Sequence, residues 1–223
     1  MDSKFPHELL ERIERVGVVA VLVVDDADHA VPAAAALLDG GIDVIELTLR
    51  TPVALEALAQ IRAHVAEVLV GVGTVLTIGQ VEQVVEAKAA FAVAPGFNRR
   101  IVDHAQTLNL PFAPGIVTAS ELETAVEMGC RELKFFPAEP SGGMPLLKSL
   151  KAPYAHLGLR FIPLGGINAG KLASYVADAD VLAVGGSWLA TRRLIQAEDW
   201  QTITQNAAEA RRIVDAVRSG DAA

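Results

Sequence analysis

One feature constrains this chain more than any other: an alternation that runs its whole length. A short apolar stretch rich in β-branched residues is followed by a stretch of helical character, and the pair recurs eight times. Val16 to Val24 is a continuous apolar run, as a strand buried on both faces would be. HAVPAAAALLDGG then reads as a helix by its alanines, closed by Gly40 and Gly41. The strand DVIELTLR, Asp43 to Arg50, precedes a helix with Thr51 as N-cap and Pro52 at its first position. VLVGVGTV, FAVAPGF, PFAPGIV, ELKFFPA, RFIPLGGI and VLAVGGSWLA continue the strands, each with a helix behind it. A long last helix is predicted from about Glu198 to Arg218. Repeated βα units of this kind give a parallel sheet. Eight of them in 223 residues predict an α/β protein, a single-domain (β/α)8 TIM barrel over residues 1–223 with an extra N-terminal helix. An open doubly wound sheet is the alternative; against it, no GxGxxG fingerprint follows the first strand.

Composition narrows the function classes. The chain is 52% hydrophobic, enough for one full core, and its net charge of -8 argues against a nucleic-acid partner. Cys130 is the only cysteine, so no internal disulfide forms, and it reads as a small buried apolar residue in a reducing compartment. The opening MDSKFPHELLERIERVG is charged and has no apolar core of its own, so no signal peptide is expected. The apolar run Val18 to Val24 is too short to span a bilayer. The expectation is a cytoplasmic protein with no membrane partner.

Chemistry should then sit at the C-terminal ends of the strands. In RELKFFPAEP, Leu133 and Phe135 share one face of a strand, and Glu132, Lys134 and Phe136 share the other, with Pro137 as the stop. A lysine among otherwise apolar strands is an ion-pairing core residue or a nucleophile. Burial disfavours an ammonium, and a neutral amine attacks ketones to form a Schiff base. On the second strand, Val44, Glu46, Thr48 and Arg50 share a face that would point inward. Glu46 and Arg50 are either a structural ion pair or a proton shuttle and a carboxylate clamp. Thr74, at the end of GVGT, offers a hydroxyl, with Gly71 and Gly73 permitting close backbone approach. The pairs Gly165–Gly166 and Gly185–Gly186 close the last two strands just before helices. Asn168 can cap one of those helices, and Ser187 adds a hydroxyl. Bare backbone N–H groups there suit an anion, at the place where phosphate-handling barrels bind phosphate. The five histidines show no paired spacing at strand ends, so neither a metal nor any other cofactor is expected.

VIELTLRT, VGVGTV, ELKFFPAE, PLGGIN and GGSW, in this order and spacing, resemble the 2-keto-3-deoxy-6-phosphogluconate (KDPG) aldolases, a family that includes the 4-hydroxy-2-oxoglutarate (KHG) aldolases. The resemblance runs from about Val16 to Trp200. It implies a class I aldolase, a homotrimer of (β/α)8 barrels, acting on pyruvate and a phosphorylated aldehyde. By that resemblance Lys134 is the Schiff-base lysine and Glu46 the general acid/base. Arg50 and Thr74 hold the pyruvate carboxylate. Gly165, Gly166, Gly186 and Ser187 form the phosphate site, and Pro95 and Phe136 are pocket walls. One position departs from the pattern: family members typically read PTGG where this chain reads PLGG. Leu164 therefore stands where a threonine would face the aldehyde half of the substrate.

The resemblance gives KDPG as the first expectation, cleaved to pyruvate and glyceraldehyde 3-phosphate. The galactonate epimer and 4-hydroxy-2-oxoglutarate are alternatives in the same family. A phosphate-binding isomerase or synthase barrel would share the glycine pairs without needing Lys134. A non-catalytic binding protein on this fold would give Glu46, Arg50 and Lys134 no reason to converge.

Overall fold

The structure, a computed structural model, describes residues 3–220. Met1 and Asp2, which open the stretch read above as an N-terminal helix, lie outside the described residues, as do residues 221–223. The first half of the chain runs α1 (His7–Val16), β1 (Val18–Leu22), α2 (Ala30–Asp39), β2 (Val44–Thr48), α3 (Ala54–His64), β3 (Leu69–Gly73), α4 (Ile78–Glu86), β4 (Ala92–Val93) and α5 (Arg99–Thr107). The second half runs β5 (Phe112–Ala113), β6 (Gly115–Ile116), α6 (Ala119–Glu127), β7 (Glu132–Phe135), α7 (Ala138–Ser141), α8 (Gly143–Lys151), β8 (Arg160–Pro163), α9 (Ala169–Val176), β9 (Val184–Gly186), α10 (Arg192–Gln196) and α11 (Trp200–Ser219). Among the described residues, no helix is long and apolar enough to cross a membrane.

All strand pairings are parallel. Six strands form one sheet in the order β5-β4-β3-β2-β1-β9, and three form a second in the order β6-β7-β8. β1 is buried at every position, as a continuous apolar run covered on both faces requires, and β2 is buried throughout although it carries Glu46 and Thr48. The two sheets curl toward each other, since Lys134 of β7 bonds across the interior to Glu46 of β2.

Several boundaries differ from the sequence expectation, each for a local reason. PFAPGIV is two strands, β5 and β6. Pro114 between them has no N–H to give, although its carbonyl still accepts from the Lys134 N–H at 2.9 Å. Gly115 follows because a Cβ there would lie 2.3 Å from the Pro95 backbone. The first strand starts at Val18, not Val16, since Val16 ends α1 and Gly17, at φ 71°, makes the turn. α3 begins at Ala54, and Thr51 does not cap it; its hydroxyl donates instead to the Val24 carbonyl at 2.6 Å. Asn168 occupies the N-cap position of α9 but makes no capping bond with its side chain. The last helix starts two residues later than predicted, at Trp200, with the Asp199 carboxylate accepting from the Thr202 N–H. Cys130 is buried as expected, and burial raises its thiol pKa to about 11.

Candidate active site

β7 is four residues long and fully buried, so its alternation sends Lys134 to the interior, away from Leu133 and Phe135. There Nζ donates to Glu46 Oε1 at 3.1 Å and to Oε2 at 3.4 Å. Lys134 is 4% exposed and Glu46 2%. A pair of opposite charges this deep is held against a desolvation penalty that is seldom recovered in stability, which favours a functional reason for keeping it. Room for the Glu46 side chain comes from the neighbouring strand. A Cβ at Gly73 would fall 1.8 Å from Glu46 Oε1, so the carboxylate occupies the space that a side chain on β3 would fill. Nζ also stands 5.5 Å from the centroid of the Phe136 ring, near enough for the ring face to attract a cation.

Above this buried floor opens a cavity of about 320 Å³. Ten of the eleven predicted site residues line it: Lys134, Glu46, Arg50, Thr74, Pro95, Phe136, Leu164, Gly165, Gly166 and Ser187. Gly186 is the exception. Its Cα faces the Trp188 ring, while its neighbour Gly185 lines the cavity. The depth is graded. Lys134 and Glu46 are buried, Thr74, Pro95 and Phe136 half-buried, and Arg50, Gly166 and Ser187 exposed. A ligand entering from solvent therefore meets a guanidinium and a group of backbone and hydroxyl donors at the rim, and an amine–carboxylate pair below.

Arg50 lies in the turn just past β2, not on the strand as predicted, because β2 ends at Thr48. Its guanidinium is nevertheless held. The Thr48 hydroxyl donates to the Leu22 carbonyl at 3.0 Å, which leaves its lone pairs to accept from Arg50 Nε at 3.2 Å. Thr48 was visible in the sequence as part of the inward polar face of β2, but nothing there marked it as the support of Arg50.

Thr74 has φ 64°, a left-handed backbone unusual for a β-branched residue. Such strain concentrates at functional sites. Gly165 and Gly166, at φ 102° and 79°, need glycine for the same conformational reason. Gly185 is needed for space instead: a Cβ there would lie 2.1 Å from Leu164 Cγ. Leu164 is 4% exposed and puts an apolar surface on the cavity wall. Val21 and Ile167, not singled out from sequence, complete that wall. Among the described residues, no group of three or more His, Cys, Asp or Glu side chains could hold a metal ion.

Residues 9–206 match the model of the KDPG and KHG aldolase family. The chain is 46% identical over 196 residues to a 2-dehydro-3-deoxy-phosphogluconate aldolase of Treponema pallidum, covering 88% of this chain and 92% of that one. Among solved structures it is similar to a KDPG aldolase of Legionella pneumophila, captured with pyruvate as a covalent carbinolamine. That match has a TM-score of 0.85 and 37% identity, covering 90% of this chain and 97% of the other. It is also similar to the Zymomonas mobilis KDPG aldolase with 3-phosphoglycerate, with a TM-score of 0.83 and 38% identity over 91% of this chain and 94% of the other.

Proposed function

The chain belongs to the KDPG and KHG aldolase family, and from that premise we propose a class I aldehyde-lyase. It cleaves 2-keto-3-deoxy-6-phosphogluconate to pyruvate and glyceraldehyde 3-phosphate through a Schiff base on Lys134. The observation that carries the assignment of the lysine is its bond to Glu46 at the floor of the cavity.

In this reading Glu46 takes a proton from Lys134, the freed amine adds to the C2 ketone, and Glu46 gives the proton to the carbinolamine hydroxyl, which leaves as water and leaves an iminium. Glu46, through a water, then takes the C4 hydroxyl proton. The C3–C4 bond breaks, its electron pair runs into the iminium, and the aldehyde leaves. The remaining enamine takes a proton at C3 and is hydrolysed to pyruvate, which frees the amine. The exposed Arg50, with Thr74, holds the carboxylate of the substrate. Gly165, Gly166 and Ser187 take the phosphate, and Pro95, Phe136 and Leu164 shape the space between. The graded depth of the cavity supports this layout, because it suits a substrate whose anionic ends stay near the rim while its ketone reaches the buried pair.

The finer architecture goes with the reading. It is one domain, a (β/α)8 barrel in which β5 and β6 count as one strand broken at Pro114, with α1 as the extra helix. Supporting it are the bridges Phe161–Val181 and Leu164–Gly185, which tie β8 toward β9. A cytoplasmic homotrimer is part of the same proposal. A second substrate, 4-hydroxy-2-oxoglutarate, is kept because the family model covers both activities.

The test is borohydride reduction in the presence of pyruvate. One adduct per chain should form on Lys134 and disappear in Lys134→Ala. An adduct on Lys148 or Lys151 instead would overturn the assignment.

A further inference from the structure

Glu139 closes the ELKFFPAE motif, yet the chemistry above does not use it. Its backbone N–H donates to the Gly165 carbonyl at 2.9 Å, and the N–H of Ala138 before it donates to the Leu164 carbonyl at 2.7 Å. Its Cβ packs so closely on Gly166 that a Cβ there would fall 2.8 Å away. Its carboxylate then reaches past the loop to α9. Oε1 accepts from the Tyr175 hydroxyl at 2.6 Å, and Oε2 accepts from Lys171 Nζ. The loop 165–168 leads directly into α9, and Tyr175 is buried. Glu139 thus fastens both ends of a two-glycine loop whose own backbone, with positive φ at both residues, has little to hold it.

We propose that Glu139, together with Tyr175 and Lys171, is a positioning group that sets the Gly165–Gly166 backbone for the phosphate of the aldehyde half, without touching substrate. The proposal rests on the phosphate assignment made above. The Lys171 ion pair, and after it the Tyr175 hydroxyl, hold the Glu139 carboxyl below the usual carboxylate range, so the clamp is charged at neutral pH. Backbone donors recognise an anion only while their directions are fixed, so loosening the clamp should weaken the phosphate half and leave the pyruvate half alone.

The experiment uses the full chain and compares wild type with Tyr175→Phe, Lys171→Met and Glu139→Gln. Tyr175→Phe conserves volume and removes one donor. Three quantities are measured: KM for glyceraldehyde 3-phosphate in aldol addition to pyruvate, the same for unphosphorylated glyceraldehyde, and the exchange of pyruvate methyl protons with D2O. The variants should raise KM for the phosphorylated aldehyde by about three- to tenfold, the net size of one ordinary hydrogen bond, because the lost contact reaches the phosphate only through the loop. KM for glyceraldehyde and the pyruvate exchange should stay at wild-type values. If all three quantities change together, or none does, the positioning role is overturned. A wild type with no preference for the phosphorylated aldehyde would refute the phosphate assignment first, and the clamp with it.

Discussion

Replacing Gly73 with alanine would test the position of Glu46 without touching its chemistry. The added Cβ falls 1.8 Å from Oε1, 2.6 Å from Cδ and 2.8 Å from Cγ of Glu46. Ordinary contact between heavy atoms begins near about 3.5 Å, so the carboxylate has to retreat by roughly 1.5 Å. It starts 3.1 Å from Lys134 Nζ, and a displacement of that size breaks the hydrogen bond. Gly73 is not among the residues with positive φ, so alanine brings no backbone strain. The overpacking should cost about 1–3 kcal/mol of stability, reduced where the Glu46 side chain swings aside. Activity should suffer far more. Misplacing a reacting group by an ångström costs on the order of 10²-fold, and losing general acid/base catalysis altogether costs about 10²–10⁴-fold. The expectation is a folded enzyme whose kcat for KDPG cleavage, read by pyruvate release, falls at least about 10²-fold, toward the level of Glu46→Gln. Gly71→Ala is the control. Its Cβ meets the Phe91 ring at 2.3 Å, so it should lower the melting temperature with a much smaller effect on turnover per folded molecule. A Gly73→Ala enzyme that melts as a folded protein and keeps kcat within about threefold of wild type, under 1 kcal/mol of barrier, would refute the reasoning.

Three further outcomes are expected. Thr48→Val keeps the shape but removes the acceptor for Arg50 Nε, so KM for pyruvate in the exchange assay should rise about tenfold and Thr48→Ser should restore it; an unchanged KM would remove Thr48 as the support of Arg50. Leu164 offers the C4 hydroxyl no partner, so wild type should discriminate poorly between the phosphorylated gluconate and galactonate epimers, and Leu164→Thr should create a preference of roughly five- to tenfold in kcat/KM. Strong wild-type selectivity that survives the substitution would reduce Leu164 to a wall. Burial raises the pKa of Glu132 above its ordinary value, against the Ser3 hydroxyl bond and the nearby arginines. The stability that Glu132 contributes is complete below the ordinary carboxylate range and is lost as pH rises through its raised value. Glu132→Gln should therefore gain thermal stability relative to wild type on going from acid to neutral pH, and equal melting curves across that range would contradict the burial argument.

The alternation of apolar runs and helices was legible because strand and helix have different periods, and each stretch is long enough to show its own. So was most of the cavity lining. Lys134, Glu46 and Thr74 stand out where a fully buried parallel strand, or its end, would otherwise be apolar. The misreadings have one source. Thr51 was assigned to a helix N-terminus by local preference, but its hydroxyl bonds to the Val24 carbonyl just past β1, 27 residues away. PFAPGIV looked like one strand until Pro114 had to find its place between two neighbours.

The sequence by itself determined the parallel α/β class and the inward side of the strands that carry Glu46 and Lys134, because pleat alternation and burial are local properties that neighbouring residues carry together. It also singled out the lysine. Only the tertiary structure decided that this lysine faces Glu46, 88 residues earlier, and that Gly73 leaves the space for the carboxylate. It likewise decided that Thr48 supports Arg50 from below and that Glu139 fastens the Gly165–Gly166 loop to α9. These are contacts between elements far apart in the chain. Their distances depend on how the two sheets curl and on which side chains are small enough to let others through, and no pattern of spacing along the sequence encodes them.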